Sequence, residues 1–310
     1  MNDHVDIILA TYNGEDYIVE QLESIFNQTY SNWKIYVTDD GSTDNTINLI
    51  NKFVLDKNIE NKVIILPFRD KSNKYGPAYN FSYGLSFSTS KYIMFSDQDD
   101  YWLPEKIVTQ VNKIKELDIT IPALSFCDAS VVDNNLSVIS PSFSKNEGFI
   151  WERRLNLSNI LFQNIAPGCC MIINDKLRDL FLSVPNRKLI MHDWYLIILS
   201  KSFGNVNFTH EVLMKYRQHD NNQVGATKKY NILTLMNFRK KLASSFDNHQ
   251  RAKEQLIDIN NNYNKNIKNN TIHSIASSME APFIYKIKTL LKFRVTKSSI
   301  IKTIVLYYFI

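Results

Sequence analysis

The chain has 310 residues, 44% of them hydrophobic, with 36 lysines and arginines against 31 acids for a formal net charge of +5, which fits one large α/β domain with an appendage, or two domains. That slight charge gives no concentrated nucleic-acid footprint outside the C-terminus, and no apolar run reaches the roughly 18–20 residues that span a bilayer. Cys127, Cys169 and Cys170 form neither a disulfide framework nor a zinc pattern, and Met1-Asn2-Asp3-His4 lacks a signal peptide's regions, so a reducing, cytoplasmic location is expected.

Val5 to Ala10 reads as a short strand, and Thr11-Tyr12-Asn13-Gly14 as a turn. From Asp16, the apolar positions Ile18, Leu22, Ile25 and Phe26 recur at helical spacing. Trp33 to Val37 is a second strand, stopped by Asp39-Asp40-Gly41-Ser42, and Ser42 or Thr43 is expected to cap the helix holding Ile47, Leu49 and Ile50. Val63 to Phe68 is a third strand, Pro77 to Phe87 a helix, and Tyr92 to Phe95 a fourth strand. This alternation predicts a parallel sheet with right-handed crossovers.

Beyond Pro104, Ile107, Val111, Ile114 and Leu117 form one helix face, and Ala123 to Val132 reads as a strand. Residues 133–165 are loop-rich. Cys169 to Ile173 is a short strand after the turn Ala166-Pro167-Gly168, and a helix begins near His192-Asp193. Val212 to Tyr216 is a last strand, running into Arg217-Gln218-His219. The composition shifts near residue 226. Segment 258–271 is Asn-rich and reads as a linker or frayed helix. From Ala281 to Ile310 there are six cations and no acid, interleaved with apolar residues. Two readings stay open there: peripheral contact with an anionic membrane surface, or a helix packed on the main domain with a solvated basic face. The apolar ending Ile304-Val305-Leu306-Tyr307-Tyr308-Phe309-Ile310 leans toward a buried or membrane-facing role.

Asp97-Gln98-Asp99-Asp100 carries the most chemistry. Three acids within four residues follow the apolar run Tyr92-Ile93-Met94-Phe95, and they repel one another unless a cation or hydrogen-bond donors compensate. One carboxylate can serve the following helix as a cap; three exceed that need. Ligands of open α/β sheets bind at the carboxyl ends of strands. An Asp-x-Asp placed there offers the hard oxygens that Mg2+ or Mn2+ prefers, held against a diphosphate. In a parallel sheet, Thr11-Tyr12-Asn13, Asp39-Asp40 and Asp97-Gln98-Asp99-Asp100 converge into the outline of a nucleotide pocket. The first turn has no Gly-x-Gly-x-x-Gly fingerprint and the chain no Gly-x-x-x-x-Gly-Lys-Ser/Thr loop, which argues against a dinucleotide-dependent dehydrogenase and a nucleoside-triphosphate hydrolase.

Through these segments and others, the chain resembles an inverting family-2 glycosyltransferase of the GT-A fold. The matching residues are Ala10 to Gly14, Gln28-Thr29-Tyr30, Asp39 to Asp44, Asp97 to Asp100, His192-Asp193-Trp194 and Tyr216-Arg217-Gln218-His219, in the family's order over roughly residues 3–225. The resemblance implies a single mixed, mainly parallel sheet flanked by helices. It implies a catalytic domain over 1–225, with a nucleotide-sugar half (1–100) and an acceptor half (101–225), and a basic helical extension over 226–310. Carried over residue by residue, it makes Asp193 the general base. Thr11, Tyr12, Asn13, Asp39, Asp40, Asp97 and Gln98 become nucleotide-sugar contacts, and Asp99 and His219 ligands of Mn2+ or Mg2+. The implied partners are a dTDP- or UDP-linked sugar donor and a glycan or lipid-linked saccharide acceptor in cell-surface polysaccharide synthesis. Tyr216 to Gly225 resembles the rhamnosyltransferases of the family. The chain departs from many relatives by His192 where they carry an acid before the base.

Plainer readings stand beside these. Asp193 also suits a helix start, His219 a structural histidine, and Asp39 an Asx turn. Trp102 and Trp194 fit sugar stacking or core equally, and the cysteines fit packing. A sugar-phosphate nucleotidyltransferase would also place metal and acids at strand ends, but its Gly-rich basic loop is missing from Thr11-Tyr12-Asn13-Gly14. A non-catalytic nucleotide-sugar binding module is the remaining alternative, which the presence of Asp99, Asp193 and His219 argues against.

Overall fold

A computed structural model describes residues 3–68, 76–185, 187–219, 238–263 and 270–310. The first half alternates strand and helix: β1 (Val5–Thr11), α1 (Ile18–Phe26), β2 (Trp33–Asp39), α2 (Thr46–Lys57), β3 (Val63–Ile65), α3 (Pro77–Leu85), β4 (Tyr92–Asp97), β5 (Tyr101–Trp102) and α4 (Lys106–Ile114). Then follow β6 (Ala123–Val132), β7 (Val138–Ser140), three short helices α5 (Phe143–Glu147), α6 (Trp151–Arg154) and α7 (Leu157–Ile160), a 3-10 turn (Gly168–Cys170), β8 (Met171–Asn174), α8 (Asp175–Leu182), α9 (His192–Phe203) and β9 (Asn205–Arg217). Helices α10 (Phe238–Tyr263), α11 (Asn270–Ser278), α12 (Phe283–Lys292) and α13 (Ile300–Phe309) complete it.

The described strands form one sheet in the order β3-β2-β1-β4-β8-β6-β9-β5, with β7 on β6. Every residue of β1 is buried, because helices cover both faces of the sheet. Side-chain alternation divides them. Val5, Ile7 and Leu9 pack with Ile18, Leu22 and Ile25 of α1, while Ile8 and Ala10 pack with Phe81 of α3 and Phe95 of β4.

The sheet is mixed. β3, β2, β1 and β4 run parallel, as alternation predicts, but β8 lies antiparallel to both β4 and β6. Strand β6 leaves the sheet at its carboxyl edge and residues 133–168 stay there, so the next strand has to run back. The expected strand from Cys169 begins only at Met171, because Gly168 to Cys170 make the tight turn that reverses the chain. Helices α8 and α9 then return the chain, and β9 runs parallel to β6 up to Val132↔Arg217. Three strand-and-turn pieces therefore meet at one edge. Thr11 pairs with Asp39, Ala10 with Asp97, and β5 brings Tyr101 opposite Lys215 just after the acidic cluster.

Two expectations are corrected here. Neither Ser42 nor Thr43 caps α2. Its N-cap is Asn45, and the Asp44 carboxylate accepts the Thr46 N–H at 3.0 Å, because Ser42 is engaged with Asp39 and Asn13 instead. For segment 258–271 the linker reading fails and the helical one holds as far as Tyr263 and again from Asn270; residues 264–269 lie outside the described set. Leu256, Ile259 and Tyr263 recur at helical spacing among the asparagines and are buried. They share one apolar cluster with Tyr195 and Leu196 of α9 and with Leu290 and Leu306 of the last helices. Tyr195 Oη also donates to Asp258 at 3.1 Å. The inner faces of α10–α13 thus belong to the main core. The residues expected to bound the catalytic part, 220–225, lie outside the described residues. No described helix is long and apolar enough to cross a membrane.

Candidate active site

The carboxyl edge of β1, β2 and β4 opens into a cavity of about 790 Å3, whose walls include Thr11, Tyr12, Asn13, Asp40, Asp97, Gln98, Asp99, Asp193 and His219. Nine of the ten residues singled out from sequence come together there. The tenth, Asp39, does not line it. Its carboxylate accepts the Thr11 hydroxyl at 2.9 Å and the backbone N–H groups of Gly41 and Ser42 at 2.9 and 2.7 Å. It builds the turn that presents Asp40, whose own carboxylate accepts the Gly76 N–H at 2.8 Å.

The first loop is stapled from two sides. Asn13 Oδ1 accepts the Thr43 N–H at 2.8 Å, and the Asn13 N–H donates to Ser42 Oγ at 2.9 Å. Gln98 forms a paired amide bond with the backbone of Tyr12, accepting from its N–H at 2.8 Å and donating to its carbonyl at 3.0 Å. A Cβ on Gly14 would sit 2.2 Å from Gln98 Oε1, so a larger residue there would push the Gln98 amide off the loop. Gln98 acts here as a clamp on the loop as well as a cavity wall.

Carboxylates crowd the floor. Asp97 is pushed up to about 7, by burial first and then by the Asp99 and Asp193 charges. Asp100 lies well above the ordinary carboxylate range for the same leading reason, burial, followed by Asp99 and Asp97. One Asp100 oxygen accepts the Arg217 N–H at 3.1 Å, and the other is buried without a hydrogen-bond partner. Ligating atoms of Asp97, Asp100 and Cys169 lie within 4.8 Å of one another. Despite a lowering contact from Cys170, burial and the two carboxylates hold the Cys169 thiol well above its usual range, which keeps it neutral. Asp99 Oδ2 meets His219 Nε2 at 2.8 Å, and the His219 ring stacks on Tyr17 at 5.0 Å. Crowded oxygens with an orphaned buried carboxylate atom fit a hard divalent cation.

Arg217, quoted in the motif but given no role from sequence, joins these parts. Its guanidinium donates to the Asp99 carbonyl at 2.7 Å, pairs with Glu20 and lies over the Tyr17 ring at 4.8 Å. It locks the turn carrying Asp99 onto the end of β9.

Asp193 stands in the first turn of α9 and is 5% exposed. The Gly168 N–H donates to its Oδ2 at 2.9 Å, and the Trp194 N–H to its Oδ1 at 2.6 Å. Burial raises it to about 6, against the lowering effect of those bonds. Beside it, His192 is wedged between Phe81 and Phe95, ring centroids 4.1 and 4.9 Å away. Burial lowers it to about 3, so the ring is neutral. An ionised acid at this position would be buried against two aromatic rings at a greater cost than the neutral imidazole, whose two ring nitrogens are buried without a hydrogen-bond partner. Trp102 and Trp194 do not line the cavity. Trp102 is fully buried with Lys106 Nζ over its ring, and Trp194 donates to the Ile160 carbonyl.

The far wall is made of Phe143, Glu147, Phe149 and the stretch Gln163 to Gly168. The short helices α5–α7 within 133–165 leave little trace in the sequence, because short capped turns carry no periodicity. Asn80, also lining the cavity, was hidden within a helical pattern; it bridges Thr38 through bonds of 2.6 and 2.9 Å.

Comparison with known proteins supplies a family. The model described as "Glycosyl transferase family 2" matches residues 6–181. The chain is 32% identical over 229 residues to the dTDP-rhamnosyl transferase RfbG of Shigella flexneri, covering 70% of this chain and 74% of that protein. It is 26% identical over 179 residues to the UDP-Glc:alpha-D-GlcNAc-diphosphoundecaprenol beta-1,3-glucosyltransferase WfgD of Escherichia coli, covering 57% and 62%. Among solved structures, S. aureus TarS 1–349 in complex with UDP superposes with a TM-score of 0.54 at 16% identity, covering 94% of this chain and 70% of that one. The mannosyltransferase PcManGT from Pyrobaculum calidifontis, in complex with GDP-Man and Mn2+, gives 0.56 at 16% identity, covering 94% and 74%.

Proposed function

The chain belongs to glycosyl transferase family 2 and is a transferase of the GT-A fold, and from that premise we propose that it moves a sugar from a nucleotide-diphosphate donor to an acceptor hydroxyl with inversion, Asp193 serving as general base. The observation that carries this reading is the placement of Asp193 in the wall of the same cavity that the acidic strand ends line. In an inverting displacement the acceptor oxygen forms its bond to the anomeric carbon as the bond to the diphosphate breaks. The electron pair leaves on the diphosphate, and the hydroxyl proton passes to the base. Gly168 and Trp194 N–H groups fix both oxygens of Asp193, which aims it.

On this reading Thr11, Tyr12, Asn13 and Asp40 hold the nucleotide, with Asp39 acting through the turn and Gln98 through the loop. Asp97 stands with the nucleotide-sugar contacts, and Asp99 and His219 would hold Mn2+ or Mg2+, whose charge would offset that gathered on the leaving diphosphate. Residues 1–225 form the catalytic part, 1–100 serving the donor and 101–225 the acceptor, and 226–310 the helical extension. The rhamnosyl relative supports dTDP-L-rhamnose as donor, and the glucosyl relative supports a UDP-linked hexose as the second reading. The acceptor is a glycan or lipid-linked saccharide of a surface polysaccharide, met on the cytoplasmic side.

Calorimetric titration with dTDP, UDP, GDP and CDP, each with and without Mn2+, tests the reading. Metal-dependent dTDP binding is the expected result. A UDP preference selects the hexose donor, and no binding of any nucleotide contradicts the pocket.

A further inference from the structure

The last two helices present a surface that the transfer reaction does not use. Among the described residues, every large apolar side chain more exposed than Leu55 (62%) lies there: Ile284 at 69%, Ile300 at 80%, Ile301 at 75%, Ile304 at 63% and Tyr308 at 75%. In α13, Ile300, Ile304 and Tyr308 follow at intervals of four and share one face. Leu306 and the terminal Ile310 are buried on another, within the main core. The helix has therefore spent one face on the protein and left a second apolar face in water. A contiguous exposed apolar patch of this kind marks an interaction surface.

Its charge selects the partner. The segment from Ala281 to Ile310 holds six cations and no acid, more than the net charge of the whole chain, +5. Lys288, Lys292 and Arg294 are exposed around α12. Lys297 is turned inward, 3.0 Å from His249 Nε2, and adds little to the surface. The start of α12 is tied to the end of α13, since Lys286 Nζ donates to the Ile310 carbonyl at 2.8 Å. Two copies of such a face would repel each other. A bilayer rich in anionic phospholipid matches both features, with cations at the headgroups and isoleucines at the acyl boundary.

We propose that the exposed faces of α12 and α13 dock this protein on an anionic membrane surface. The helices are fastened to the cavity wall. Gln163, which lines the cavity, donates to Ser298 Oγ at 3.1 Å and accepts the Ser298 N–H at 2.8 Å, and Asn159 Oδ1 accepts the Thr296 N–H at 2.9 Å. Docking therefore holds the far wall of the cavity next to the bilayer, where a lipid-linked acceptor would lie; this consequence rests on the transfer reading, while the docking itself does not.

Sedimentation of the 310-residue chain with vesicles tests it, using phosphatidylcholine alone and phosphatidylcholine with phosphatidylglycerol. We expect partition onto the anionic vesicles at least about tenfold stronger, and weakened by salt. The variant Ile300→Ser, Ile304→Ser, Tyr308→Ser is expected to lose about tenfold or more, with unchanged nucleotide binding and melting temperature as its folding control. Lys288→Gln, Lys292→Gln, Arg294→Gln, a surface change that leaves the packing alone, is expected to abolish the preference for anionic lipid. Equal partition on both vesicle types, or partition unmoved by either variant, overturns the proposal. So does a dimer that the serine variant dissolves while vesicles stay unbound. Failure of the wild-type chain to transfer sugar to any acceptor strikes the transfer reading alone, because sedimentation needs no turnover.

Discussion

Gly168 and Asp193, 25 residues apart in sequence, meet at 2.9 Å where the backbone N–H of one donates to a carboxylate oxygen of the other. The turn that reverses the chain into β8 thus also positions the proposed base. A Cβ on Gly168 would lie 2.6 Å from His192 Nε2 and 3.3 Å from the Asp193 Cβ. His192 is packed between two rings and has little room to retreat. Gly168→Ala is expected to cost about 1–3 kcal/mol of stability by overpacking and to lower kcat about tenfold or more while nucleotide affinity changes less. Thermal melting and steady-state kinetics check both halves, and an unaltered kcat would speak against positioning by this turn.

The pH dependence follows from burial. Asp193 titrates near 6 rather than in the ordinary carboxylate range. A base works only when deprotonated, so kcat/KM is expected to fall about tenfold per pH unit as the pH drops below 6. A pH–rate profile between 4.5 and 8 reads this directly. A rate that stays level down to about pH 4 would assign the limiting group an unshifted carboxyl.

Asp99 is the residue whose removal separates metal from nucleotide. It is paired with His219 at 2.8 Å, and Asp99→Ala takes away an oxygen and leaves the imidazole. Calorimetry with Mn2+ is expected to show donor nucleotide binding weakened about tenfold or more, and binding without metal little changed. Unaltered affinity in Mn2+ would remove Asp99 from the ligand set.

Much of this site was legible in the sequence because its parts are local in the chain. Acids that follow an apolar run, such as Asp97 and Asp99 after Phe95, announce a strand end, and register then places them beside Thr11 and Asp40. The chain also revealed the strand Ala123–Val132 with both its ends and the helix that starts at His192. What stayed hidden depends on contacts distant in sequence. Asp39 turns away from the cavity because Thr11, Gly41 and Ser42 claim its oxygens. Gln98 clamps Tyr12 across 86 residues, and Arg217 closes on Asp99 across 118. The antiparallel course of β8 follows from where residues 133–168 end, and no local periodicity encodes that. In α10 the asparagines masked three buried positions, because composition is averaged over all faces of a helix and packing uses one.

Asp193→Asn probes whether Asp193 takes the acceptor proton, since the amide keeps the size of the side chain and cannot act as base. Single-turnover transfer and calorimetric nucleotide binding would be measured on the same sample. A base at Asp193 gives a rate loss of about 100- to 10,000-fold in this variant, with nucleotide affinity nearly intact. Near-normal turnover in that variant would contradict it.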